Sequence, residues 1–135
     1  MKTVPFAIDV RVPQRCIEVA AEGDVSQEDR LTAIEEVCDL LRENRDFAVL
    51  VDLRACPRTP TTAETYAVVS ALVARAPFLS GGAALLVRPG PPHGMACLEQ
   101  LLVRQAGVSI GVFTDRAEAE RWLATDPHPV APAPR

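Results

Sequence analysis

The second half of the chain repeats one pattern three times, an apolar run of strand length followed by a loop and a helix. The first run, FAVLVDL at residues 47–53, is unbroken up to Asp52, and shorter runs follow at residues 83–87 and 108–113. Unbroken apolar strands are typical of parallel sheets that are covered on both faces. Because parallel neighbours are joined by right-handed crossovers, the repeat predicts an α/β domain with helices layered on a sheet.

The first half of the chain predicts a strand pair and a helix. Apolar and polar residues alternate over residues 6–12, and residues 16–20 resume after a short turn, as in two adjacent strands. Ser26 is a typical N-cap residue, and a helix is expected from there to about Asn44. Its apolar positions have helical spacing: Leu31, Ile34, Val37, Cys38 and Leu41. The predicted order is β-β-α-β-α-β-α-β-α, a mostly parallel five-stranded sheet with an N-terminal strand pair and four helices.

Composition favours one folded domain. The chain has 135 residues, of which 48% are hydrophobic and 24% charged, which is enough for a single core. Residues 1–125 are therefore predicted to form one α/β domain. Residues 126–135 are proline-rich without apolar periodicity, and we expect a disordered or extended tail there.

The same sequence argues against several classes of protein. A net charge of -4 and only 4% aromatic residues leave no basic surplus for nucleic acid. The N-terminus lacks the pattern of a signal peptide. Charged residues and proline interrupt the apolar runs before they reach membrane-spanning length, at Arg75, Pro77, Arg88 and Arg104. We expect a cytoplasmic protein that neither spans a membrane nor binds nucleic acid, and we predict no cofactor and no metal.

Three segments resemble one family of small bacterial proteins. They are the opening strand pair, VLVDLR at residues 49–54, and GVFTDRAEAERWL at residues 111–123. With the element order, they resemble the STAS domains of anti-sigma-factor antagonists and, more closely, the SpoIIAA-like proteins of unassigned function. The resemblance covers residues 5–125 and implies a SpoIIAA/STAS-like fold. It contains no catalytic group, so it bears on the fold more than on the function.

One loop departs from the antagonist branch of that family. Antagonists carry an Asp-Ser dipeptide whose serine is phosphorylated, whereas residues 55–62 here are ACPRTPTT. Thr59, Thr61 and Thr62 are the remaining candidates for phosphorylation, since phosphate is favoured near a helix N-terminus. The alternative is that a threonine before a helix is simply an N-cap. The missing serine points away from sigma-factor control.

The loops that follow the parallel strands hold several cations. Ligands of parallel α/β sheets bind beyond the carboxyl ends of the strands, and Arg54, Arg58, Arg88 and His93 lie in these loops. Arginines near helix N-termini can bind a phosphate or carboxylate. The alternative is that Arg54 pairs with a nearby carboxylate and the other side chains are solvated.

The cysteines raise the question of thiol or metal chemistry. Cys56 is predicted in an exposed loop beside arginines that would lower its pKa, whereas Cys16, Cys38 and Cys97 are expected to be buried thiols. His93 and Cys97 have i, i+4 spacing, but neither a second nearby histidine nor CxxC spacing supports a metal site.

Three classes of function remain open. The first is a non-enzymatic binding or regulatory module that recognises a protein or small ligand with the loops at the strand C-termini. The second is a carrier of an apolar or amphipathic molecule, because SpoIIAA-like folds resemble the lipid-binding CRAL-TRIO domain; it would require an apolar pocket of several hundred Å³. The third, an enzyme, would require Cys56 and His93 within hydrogen-bond reach of each other. A homodimer is left open.

Overall fold

A computed structural model of the chain describes residues 6–125. Five strands and four helices alternate as the sequence predicts, with a short 3-10 helix before the fourth strand. The strands are β1 (Phe6–Arg11), β2 (Cys16–Glu22), β3 (Ala48–Ala55), β4 (Ala83–Leu86) and β5 (Ile110–Phe113). The helices are α1 (Gln27–Glu43), α2 (Thr62–Ala74), α3 (Pro91–Arg104) and α4 (Arg116–Ala124), and the 3-10 helix is Ala76–Leu79. The tail predicted at residues 126–135 lies outside the described residues.

The strands lie in the sheet in the order in which they occur in the chain. β1 is antiparallel to β2, and β2, β3, β4 and β5 are mutually parallel, so that β3 is the central strand. Because each crossover adds its strand on the same side and is right-handed, α1, α2 and α3 all lie on one face of the sheet. The predicted fold class, α/β with a mostly parallel sheet and an N-terminal strand pair, is confirmed.

The larger core lies between those three helices and the sheet. Alternate residues of the strands face it, for example Ile17 and Val19 of β2 and Val49 of β3. Helix α1 contributes Leu41 and α3 contributes Val103, which are 1% and 0% exposed. The two cavities described below adjoin this core.

The opposite face of the sheet is covered by α4. Leu50 and Leu86 point to this side and pack with Ala119, which is fully buried. The rings of Phe113 and Trp122 lie 5.7 Å apart between centroids and extend this smaller core. The first four residues of β3, AVLV at residues 48–51, are therefore all apolar because the strand is covered on both sides.

Helix α3 begins earlier than the sequence pattern suggests. The sequence predicts a loop at residues 88–94 and a helix from Met95 to Ala106, but α3 starts at Pro91, immediately after Gly90, which has a φ of 94°. Proline suits a first helical position because its missing N–H would have no intrahelical partner there. As a result, His93 lies in the first turn of α3 and not in a loop. Among residues 6–125, no helix is both long enough and apolar enough to cross a membrane.

Candidate functional site

Two cavities adjoin each other under the helical layer. The outer one, about 50 Å³, lies at the C-terminal ends of β3 and β4, against the first turns of α2 and α3. Its wall includes Cys56, Arg58, Thr65 and Met95. This is the edge at which parallel α/β sheets bind their ligands.

The inner cavity, about 100 Å³, lies between the sheet and helices α1, α2 and α3. Its walls are almost entirely aliphatic, with Val37, Val49, Val68, Leu72, Leu85 and Ile110 among them. The interior is thus not close-packed. Its volume is nevertheless smaller than the several hundred Å³ expected for a carrier of an apolar or amphipathic molecule.

A buried ion pair stands where the two cavities meet. Arg30 of α1 and Glu99 of α3 line both of them, and Arg30 Nη2 lies 3.6 Å from Glu99 Oε1. The side chains are only 15% and 7% exposed. Burial raises the pKa of the Glu99 carboxyl, and the positive charge of Arg30 partly opposes that rise.

The pair leaves polar atoms without partners. Within the part of the chain that the structure describes, the buried Nη1 of Arg30 has no acceptor in hydrogen-bond range. The buried Oε1 of Gln27 has no donor in range. Gln27 lies one turn before Arg30 and donates from Nε2 to the Glu64 carbonyl over 3.1 Å. Buried donors and acceptors are rarely left unpaired, because each costs about 1–3 kcal/mol.

Arg30 and Glu99 were not predicted as site residues, although the sequence contained a signal. Arg30 lies three residues before Ala33 and seven before Val37, and Glu99 stands between Ala96 and Val103 at spacings of three and four. Those alanines and valines are buried. A charged residue on the apolar face of a helix is therefore the sequence pattern that indicates a buried charge at this site.

Two of the predicted anion-binding arginines are engaged by carboxylates. Arg54 donates to both carboxylate oxygens of Asp52, at 3.0 and 2.9 Å, and this hydrogen bonding lowers the pKa of Asp52. Arg58 donates to Glu64 Oε1 over 2.8 Å and to the Val25 carbonyl over 3.1 Å. Arg54 therefore has the geometry of the second alternative, in which it pairs with a nearby carboxylate.

Arg88 and His93 lie apart from the cavity walls. Arg88 is exposed, and its Nε donates to the Arg54 carbonyl over 2.6 Å. His93 is half-buried, with its Nδ1 3.7 Å from Cys97 Sγ. Of the five predicted ligand-binding residues, the structure brings Cys56 and Arg58 to one cavity.

Cys56 differs from the expectation of an exposed, activated thiol. It is half-buried, and burial raises its pKa even though Arg30 and Arg88 act in the opposite direction. Among residues 6–125 no hydrogen bond joins Cys56 to His93. Of the three cysteines predicted to be buried, Cys38 is buried, whereas Cys16 and Cys97 are half-buried.

The three candidate threonines have different surroundings. Thr61 is the N-cap of α2: its Oγ1 accepts from the Glu64 N–H over 3.1 Å, and its own N–H donates to Glu64 Oε1 over 2.9 Å. This reciprocal pair is a capping box. Thr62 is exposed at the first helical position, and Thr59 is half-buried in the preceding loop.

In the described segment, no group of three or more histidine, cysteine or acidic side chains is placed to hold a metal ion.

No protein-family model matches the sequence, and no curated protein matches it.

Proposed function

We propose that this chain is a non-enzymatic binding module for a small amphipathic molecule, which enters at the C-terminal edge of the sheet and extends into the inner cavity. The observation that carries the proposal is the pair of adjoining cavities that share Arg30 and Glu99. It follows one function expected from the sequence, recognition at the strand C-termini, and adds a small apolar cavity for part of the ligand. A kinship with the SpoIIAA-like proteins is part of the proposal, supported by the element order.

The energetic cost of this arrangement supports a function. Protein interiors are packed as densely as organic crystals, so the aliphatic walls of an unfilled volume of about 100 Å³ lose packing contacts. A buried ion pair is also often no more stable than apolar residues of the same shape. Both costs occur at the same place, and they are offset when a ligand fills the space and satisfies the free donor.

The size of the inner cavity limits the ligand. An engineered apolar cavity of about 150 Å³ binds benzene, so about 100 Å³ accommodates an apolar group of roughly four carbon atoms. The polar end of such a molecule would lie beside Arg30 and Glu99, facing the outer cavity. The proposal includes a cytoplasmic location, which the free cysteines support because disulfides are rare in the reducing cytosol.

The test combines recovery of a ligand with mapping of the site. Native mass spectrometry of the protein purified from its own host is expected to show a retained small molecule. In a methyl NMR titration with pentan-1-ol, the largest shifts are expected at Val68, Leu85 and Ile110, which line the inner cavity.

Two controls keep the test specific. Ala33→Leu, which places a larger side chain in the inner cavity, is expected to abolish the methyl shifts, whereas Ala67→Leu on the exposed side of α2 is expected to retain them. Shifts confined to other parts of the molecule, or a retained protein partner without any small molecule, would overturn the proposal.

A further inference from the structure

The guanidinium of Arg30 is only partly used by Glu99. The 3.6 Å separation of Arg30 Nη2 and Glu99 Oε1 exceeds the roughly 2.7–2.9 Å of a close charge-assisted hydrogen bond. Nη1 has no acceptor within the described residues. Arginine binds carboxylates with two parallel N–H donors, so the geometry of Arg30 leaves room for a second, better-placed carboxylate.

Arg30 is the cation of the two cavities that has no close carboxylate partner, since Glu99 lies 3.6 Å away. Arg58 also lines the outer cavity, but Glu64 binds it over 2.8 Å and offsets its charge. The N-terminus of α3 adds little at this edge, because Pro91 and Pro92 occupy its first two positions and have no N–H. An anion would therefore be bound here chiefly by Arg30.

Few titratable or charged groups line the two cavities with Glu99. They are Arg30 and Cys38 from α1 and Cys56 and Arg58 from the segment after β3, and β4 contributes only apolar residues. Of these, Arg30 is the group whose charge acts on the pKa of Glu99. Glu99 is thus the one carboxylate among the cavity-lining residues of the described chain. A ligand carboxylate would compete with it for Arg30.

We propose that the ligand is a short aliphatic monocarboxylate, whose carboxylate binds both Nη atoms of Arg30 while its chain of about four carbon atoms fills the inner cavity. This inference rests on the small-molecule function proposed above. On binding, Glu99 loses the opposing charge of Arg30 and takes up one proton from solvent, so the site exchanges one carboxylate for another and its net charge is unchanged. Burial of Glu99 favours that protonation once Arg30 is engaged by the ligand.

Other ligand classes fit the same groups less well. An alkylammonium ion would bring a second positive charge beside Arg30. An alcohol would fill the cavity but leave the Arg30 donors without a charged acceptor. We therefore expect affinity to follow the carboxylate group and not only the length of the hydrocarbon chain.

The experiment is isothermal titration calorimetry of the full chain with pentanoate, pentan-1-ol and pentylamine as matched probes. At pH 6, pentanoate is expected to bind at least tenfold more tightly than either of the others. Its affinity is expected to fall from pH 6 to pH 8, and titrations in buffers of different ionisation enthalpy are expected to report uptake of about one proton.

Variants separate the role of the charge from the stability of the fold. Glu99→Gln removes the competing carboxylate, so pentanoate is expected to bind at least fivefold more tightly and without proton uptake. Arg30→Met is expected to lose at least tenfold in pentanoate affinity with little change for pentan-1-ol. Because Arg30→Met leaves Glu99 buried without a partner, the double variant Arg30→Met/Glu99→Gln repeats the comparison in a site without charge.

The outcomes distinguish this inference from the function on which it rests. If pentan-1-ol binds as tightly as pentanoate, or if Arg30→Met and the double variant retain pentanoate affinity, the carboxylate assignment is overturned and the small-molecule function stands. If none of the three probes binds, both are overturned. Preferential binding of pentylamine would overturn the carboxylate assignment and identify Glu99 as the anchoring group.

Discussion

Arg30 Nη2 and Glu99 Oε1 lie 3.6 Å apart inside the domain, and they connect α1 to α3 across the junction of two cavities. Among the described residues that line the two cavities, Arg30 and Glu99 form the only contact between opposite charges on two helices. We therefore expect the stability of the domain to depend on pH and on both charges of the pair. The cavities beside the pair make stability depend also on the volume of the lining residues.

The first prediction concerns stability as a function of pH. Burial raises the folded-state pKa of Glu99 above its ordinary value of 4.5, so the folded protein holds this proton to higher pH than the unfolded chain does. The associated stability is fully present below the unfolded-state pKa and is lost as pH rises through the folded-state pKa. Glu99→Gln removes this dependence, so the variant should gain stability relative to the parent chain as pH rises from 4 to 8.

Urea unfolding of both proteins at pH 4, 6 and 8 measures the difference. Glu36→Gln, on the exposed side of α1, is the matched control. Equal pH trends in the two variants would contradict the assignment of the effect to Glu99.

The second prediction concerns the empty volume. Ala33 is 8% exposed and lines the inner cavity. Ala33→Leu should raise the free energy of unfolding by about 1–2 kcal/mol, since the added methylene groups are buried without displacing other side chains. Ala67→Leu makes the same change at an exposed position of α2 and should alter stability by less than about 0.5 kcal/mol. Destabilisation by Ala33→Leu would indicate that the cavity cannot accept the side chain.

The third prediction compares two glycines. A Cβ at Gly81 would lie 2.3 Å from the Phe47 carbonyl oxygen, whereas a Cβ at Gly94 would meet nothing within 4 Å. Gly81→Ala must move backbone and should cost at least about 2 kcal/mol. Gly94→Ala, in the first turns of α3, should stabilise by about 0.5–1 kcal/mol because alanine is the better helix former. Thermal unfolding of both variants measures the contrast, and equal melting temperatures would refute it.

The fourth prediction concerns the reactivity of Cys56. Because burial raises its pKa, Cys56 should be alkylated by iodoacetamide at pH 7 more slowly than free cysteine, with a rate that rises about tenfold per pH unit up to its pKa. Peptide mass spectrometry resolves the rate at this site from those of the other cysteines. Alkylation at pH 7 faster than that of free cysteine would restore the activated thiol expected from the sequence.

The fold was predictable because each element leaves a local mark. The unbroken apolar run of β3 indicated a strand covered on both faces, and Ser26 marked the start of α1, where it caps the helix through the Asp29 N–H over 3.0 Å. The start of α3 was not predictable from periodicity alone. Pro91 and Pro92 resemble a loop until the preceding Gly90 is known to adopt a positive φ.

The site was less predictable than the fold. The residues predicted from the sequence were mainly loop cations, of which Arg58 lines the outer cavity together with Cys56. The pairing of Arg54 with a nearby carboxylate was one of the two alternatives, whereas the pairing of Arg58 with Glu64 was not predicted. No local pattern shows that Arg30 and Glu99 form a contact, because that contact depends on how α1 and α3 are placed on the same face of the sheet.

The position of α4 has a consequence for synthesis on the ribosome. Strands β1 to β5 join the sheet in the order in which they emerge, and the larger core can assemble as each helix follows its strand. The other face, with Leu50 and Leu86, stays uncovered until α4 has emerged, because α4 alone among the described helices packs there. A nascent chain halted after β5 would therefore expose an apolar sheet surface to chaperones. This surface would be covered once α4 has emerged and packed on it.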